Sequence, residues 1–162
     1  MKRVLCSAIL IVLLITMLTS CGLDVPRPEV KSGEFDFTVT YEFNGETKTV
    51  SGVYVCEYAG LSWSLDGGFH RDWDSYVEGV DEVVEIGTSP DGGKVELIFA
   101  FYPEYFMDDF IEGVDEIPTP EISVTHVDEG LWFEFDADVI EEKYGAKIIS
   151  YQYDKPIKNT FK

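Results

Sequence analysis

Carboxylates dominate the reactive side chains of this chain: 31 Asp and Glu stand against 12 Lys and Arg, a formal net charge of −19. Two acidic groupings have the composition of a cation site. Asp66, Asp72 and Asp74 surround the turn-like Leu65-Asp66-Gly67-Gly68, and Asp108 and Asp109 precede Asp115 and Glu116. Calcium takes roughly six to eight oxygen ligands from acidic loops, so Asp66, Asp72, Asp74, Asp108 and Asp109 are the candidate metal residues. Neither grouping fits the EF-hand loop pattern. Nitrogen ligands are scarce: His70 and His126 are too few for a three-His zinc centre. His70, Asp72 and Asp74 would share one face of a strand, and a solvated polar face is the simpler reading of them. No cofactor is expected, calcium being the one candidate.

Sharper catalytic signatures are missing. The chain has no G-x-S-x-G elbow, H-E-x-x-H, Cys-x-x-Cys, P-loop or G-x-G-x-x-G. Paired carboxylates for glycoside hydrolysis require a set separation across a cleft, and the acids here show no such spacing. The expectation is therefore a protein that is not an enzyme. Aromatic residues offer the remaining chemistry, because an exposed ring brings large apolar area at small entropic cost. Trp132 alternates out of phase with Leu131 and Phe133, and Tyr102-Pro103-Glu104-Tyr105-Phe106-Met107 reads as an apolar patch outside the strands. Trp132, Tyr105, Phe106 and Met107 are the candidate ligand-binding residues; Trp63 and Trp73 are assigned to the core. Cys56 lies in Val53-Tyr54-Val55-Cys56-Glu57-Tyr58 and is expected to pack as a small, inert hydrophobe.

These groups must be carried by strands. Phe35, Phe37, Val39, Tyr41 and Phe43 alternate with polar residues, the period of a half-buried strand. Asn44-Gly45 follows, the pair favoured by a two-residue type I′ turn. That turn would set Val39 opposite Val50, Phe37 opposite Gly52 and Phe35 opposite Tyr54. The same grammar recurs at 69–78, 82–87, 94–101, 121–127, 131–137 and 146–153. Helical signals are confined to 138–144, ended by Gly145, and to 103–111. About eight strands predict an all-β antiparallel sandwich, immunoglobulin-like in the broad sense, with a barrel as the alternative. Hydrophobic residues make up 45% and aromatics 14% of the chain, enough to offset the entropy of ordering a core despite the charge.

The first residues are of another kind. Lys2 and Arg3 precede an apolar run from Val4 to Met17, and Leu18-Thr19-Ser20-Cys21 follows. A positive n-region and a run too short for the roughly 20 residues of a membrane span read as a secretory signal. The tetrad resembles the lipobox of bacterial lipoproteins cut by signal peptidase II. That resemblance implies cleavage before Cys21, a diacylglyceryl group on its thiol, and an extracytoplasmic, membrane-anchored location. Residues 1–20 would then be the signal, 21–34 the lipidated cysteine and a flexible tether, and 35–162 one sandwich domain. Asn44-Gly45-Glu46, Tyr105-Phe106-Met107-Asp108 and Asp154-Lys155-Pro156-Ile157 also resemble pieces of small, uncharacterised β-rich lipoproteins of Gram-positive bacteria, a likeness that implies no catalytic residues.

The expected function is that of a lipid-anchored surface module, not an enzyme, that binds a protein or a glycan. The competing classes are a calcium-dependent adhesin-like domain or small metal-dependent hydrolase, and a passive spacer. Nucleic acid is excluded as a partner by the strong negative charge.

Overall fold

The computed structural model describes residues 25–65, 68–109, 118–126 and 131–162. Among the described residues eight antiparallel strands form two four-stranded sheets, an all-β sandwich. One sheet contains β1 (Ser32–Phe43), β2 (Glu46–Ser64), β3 (Gly68–Glu78) and β8 (Ala146–Tyr153), in the order β3-β2-β1-β8. The other runs in chain order: β4 (Val83–Thr88), β5 (Lys94–Ile98), β6 (Glu121–His126) and β7 (Trp132–Glu134). Two short helices, α1 (Pro103–Phe106) and α2 (Ala137–Tyr144), complete the described elements.

The first hairpin forms as its sequence predicts. Asn44 and Gly45 take φ of 52° and 79°, the left-handed pair that a type I′ turn needs. The register then pairs Val39 with Val50, Phe37 with Gly52 and Phe35 with Tyr54. Gly52 is the one position in β2 where a side chain is forbidden by its partner. A Cβ there would lie 2.8 Å from Phe37 Cζ and 2.9 Å from the Glu78 carbonyl oxygen, so the Phe37 ring rests on bare backbone.

Within each sheet neighbouring strands follow chain order, except that β8 returns beside β1. This is the order of an up-and-down barrel opened along two seams, β3/β4 and β7/β8. The likeness to immunoglobulin domains is therefore one of layers, without their Greek-key connections. Between the sheets lie Phe35, Phe37, Val39, Tyr41 and Phe43 from β1, Val95 and Leu97 from β5, and Ile122 and Val124 from β6, all buried. An aromatic cluster caps one end, where Tyr54 stacks on Phe101 at 4.3 Å and Phe37 meets Phe99 at 4.9 Å.

Three expectations are corrected. The stretch before Phe35 is not a tether throughout: Arg27 and Lys162 exchange backbone hydrogen bonds of 2.7 and 2.9 Å, and Glu29 N–H donates to Thr160 O. Asn159 fastens the same stretch through both amide atoms to the Val30 backbone. The domain thus includes residues from Val25, because the extended C-terminal segment supplies them with a partner that lies far away in sequence. The second correction concerns the 131–137 arm, expected to bury Leu131, Phe133 and Phe135. All three are more than half exposed. Asp136 stops the strand by capping α2, its carboxylate accepting from the N–H groups of Asp138 and Val139. Ile140 and Tyr144 of that helix then fill the space such an arm would occupy. Third, Trp63, assigned to the core, is 59% exposed, because β2 and β3 run on past the start of β1. Trp73 is buried as expected.

Candidate functional site

On the side of the sandwich where β7 and β8 are the sheet edges, α2 lies between β6 and β8. Between them opens a groove of about 460 Å³. Ile122 of β6, Phe135 after β7, Ile140 of α2, and Ile148 and Tyr151 of β8 supply its apolar walls. At the rim, Lys147 meets Glu141 at 2.7 Å and reaches Glu42 at 3.8 Å. Tyr151 and Phe135 are exposed, as is Ile149, which the register shift between Thr40 and Tyr41 leaves without a partner on β1. Both β7 and β8 are edge strands among the described elements. An exposed, apolar strand edge beside a groove is a ready template for an added strand, which natural proteins blunt unless it is used.

The residues singled out in sequence do not line this groove. Phe106 and Met107 are wholly buried, and Tyr105 packs against the same core. The reason is the direction of α1: it turns inward, so that Phe106 sits 4.7 Å from Phe35 and 5.2 Å from Tyr54. Phe106 and Met107 are core residues, Tyr105 is half-buried beside them, and of the expected patch Tyr102 is exposed. Trp132 is partly exposed, but one face is covered by His126, stacked at 3.9 Å and 8°. Lys143 reaches toward the same indole and pairs with Asp91 at 3.0 Å. A hydrogen bond from Ser89, with Lys143 behind it, holds the Asp91 carboxyl down to about 2. Trp132 is thus part of a surface brace joining α2 to the β4–β5 turn, remote in kind from Tyr105, Phe106 and Met107.

The acidic candidates are also dispersed. Asp109 is almost fully buried and its oxygens are taken: Arg71 Nε donates to both at 2.8 Å, and Trp73 Nε1 donates to Oδ2 at 2.8 Å. A guanidinium fork and an indole N–H occupy the carboxylate where a calcium ion would bind. Asp108, at φ 54°, accepts instead from the Asn159 N–H. Asp72 and Asp74 are exposed on β3, with His70 bonded to Ser62 at 2.9 Å. Among the described residues no three His, Cys, Asp or Glu converge to hold an ion. Asp66, Cys21, Asp115 and Glu116 lie outside the described residues.

Arg71 does more than pair with Asp109. It donates to the Pro26 carbonyl at 3.0 Å and lies 4.2 Å from the centre of the Phe161 ring. One guanidinium therefore ties β3, the segment after α1 and both terminal segments together.

Cys56 is wholly buried, and burial pushes its thiol up to about 12. In the unfolded chain the same thiol ionises near 9. A raised acid costs nothing below the unfolded value, and its folded form is disfavoured as pH climbs from about 9 toward 12. We expect iodoacetamide at pH 8 to label Cys56 at least about 100-fold more slowly in the native protein than in urea, since the thiolate is the nucleophile. Mass spectrometry over time checks this; rapid native labelling would place the thiol on the surface.

No family model, curated protein or solved structure matches this chain. The groove and the lipobox-like tetrad therefore carry the functional reading by themselves.

Proposed function

We propose that this chain is a lipid-anchored, extracytoplasmic binding module, not an enzyme, whose ligand is an extended protein segment seated at the β7/β8 seam. The observation that carries the reading is the apolar groove beside the open edge of β8. A segment pairing with that edge would place alternate side chains toward Ile148 and Phe135, the arrangement of strand addition. A glycan is the alternative ligand, since Phe135 and Tyr151 present exposed rings and Glu121, Asp138, Glu141 and Lys147 bring hydrogen-bonding groups to the same lining. The surrounding negative charge favours a segment with basic flanks. Anchoring rests on the likeness of Leu18-Thr19-Ser20-Cys21 to a lipobox: two acyl chains on Cys21 would hold the module at a membrane, where one would not.

Photo-cross-linking in the intact cell envelope tests the ligand. A benzophenone amino acid at Tyr151 or at Phe135 is expected to give the same discrete protein adduct. The same group at Thr49, exposed on the outer face of β2, is expected to give none. Absence of adducts from both groove positions, or identical adducts from all three, would reject the groove as the site.

A further inference from the structure

The outer end of the β2–β3 hairpin exposes a group of large apolar side chains. Trp63 and Phe69 pair across the strands, and Leu65 lies beyond them. Their exposures are 59%, 42% and 87%. No stability argument explains three large apolar side chains held in water on a protein of such charge.

Their position in the fold is informative. β1 begins opposite Glu57, so the hairpin continues past it by the length of Tyr58–Ser64. The chain enters at this same end: Lys31 O accepts from Tyr58 N–H, and Pro26 O accepts from Arg71. Arg71 is two residues from Phe69, about 7 Å along a strand. Cys21 is four residues before Val25, a reach of at most about 14 Å. A lipid on Cys21 is therefore on a leash short enough to hold this end of the sandwich, and no other, against a bilayer. The groove lies toward the opposite end, where Ala146 pairs with Phe43, 11 residues along β1 from Ser32. At about 3.3 Å per residue the two ends are about 36 Å apart.

We infer that Trp63, Leu65 and Phe69 dock into the headgroup–acyl boundary of the bilayer that carries the Cys21 lipid, fixing the domain upright with its groove directed away from the membrane. The inference rests on the lipid-anchor reading. Indole and phenyl rings prefer that boundary. Asp66 stands between Leu65 and Phe69 in the chain, and Asp72 and Asp74 follow on β3, so the contact is shallow and favours zwitterionic over anionic headgroups. The lipid supplies the attachment, and the hairpin supplies the orientation.

The test uses the full chain purified from membranes and reconstituted in phosphatidylcholine vesicles, with and without bromine on the acyl chains. Mass spectrometry of the N-terminal peptide first establishes the lipid on Cys21. Tryptophan emission is expected to fall in the brominated vesicles, and Trp63→Phe is expected to abolish that fall. Trp73, buried within the sandwich, and Trp132, stacked on His126 in the other sheet, contribute a constant background. A lipidated, vesicle-bound protein whose emission is equal in both vesicles overturns the hairpin contact while leaving the anchor intact. An unmodified Cys21 overturns the anchor and the hairpin contact together.

Discussion

Replacing Asp109 with Ala is expected to destabilise the domain by about 3 kcal/mol, the lower end of what breaking a buried ion pair costs. The mechanism is desolvation without compensation. Arg71 is one-fifth exposed, so some of its charge can be met by water, but Trp73 Nε1 is sealed beside it with Asp109 its acceptor. Removing the carboxylate leaves an indole N–H and most of a guanidinium without their partner. The effect should spread, because Arg71 would lose the anchor that holds it against Pro26 and Phe161. Urea unfolding of the full chain reads this as a lower midpoint with little change in slope. Arg71→Met in the Asp109→Ala background should recover part of the loss, since an apolar side chain leaves no charge to satisfy. A shift below about 0.5 kcal/mol, the range of ordinary surface substitutions, would remove Asp109 from the core of the argument. Asp109→Asn keeps the shape and should fall between.

Asp109 also shows where sequence reading loses its grip. In the chain it stands beside Asp108, and an acidic pair in a loop carries the composition of a calcium ligand. What decides its role is Arg71, 38 residues earlier on another strand. Composition cannot report that pairing. The strands themselves were legible because their signals are local. Alternation from Phe35 to Phe43 and the Asn44-Gly45 turn fix a register that the structure repeats residue for residue. The closing strand at Ala146–Tyr153, preceded by a glycine-capped helix, was legible for the same reason.

The groove was not legible, and the cause is equally physical. Leu131, Phe133 and Phe135 alternate as a buried arm would, yet the cap at Asp136 hands their place in the core to α2. An apolar face displaced from the core by a neighbouring element looks in sequence the same as one inside it. The early residues present the reverse case. Pro26, Pro28 and Gly33 punctuate a stretch with no periodicity, and partners far away in sequence, the C-terminal segment for Arg27, Glu29 and Val30 and β3 for Pro26, make it part of the fold. Exposure of Trp63 follows from strand length, which depends on where β1 begins and not on Trp63 itself.

Phe106→Ala is expected to cost about 3–5 kcal/mol. Its ring has no exposed surface and contacts Phe35 and Tyr54, with Phe101 and Tyr153 near 6 Å. Truncation to Ala would open a cavity where α1, the aromatic cluster and the C-terminal segment meet, for Ile157 N–H also bonds to the Phe106 carbonyl. Thermal unfolding should register a fall on the order of 10 °C or more for a domain of this size. Phe106→Leu should cost less, because it retains much of the volume. Phe135→Ala is the informative contrast. That ring is more than half exposed at the groove, so its loss should move stability by no more than about 0.5 kcal/mol while weakening the photo-cross-linked complex formed through Tyr151. Phe106 and Phe135 carry the same side chain, and the distinction lies in what surrounds them. One is held by rings on all sides and supports the fold. The other stands at a seam with an open wall, and an apolar ligand would gain by covering it. A Phe106→Ala protein of unchanged stability, or a Phe135→Ala protein that unfolds early, would exchange these roles and return the binding surface to α1.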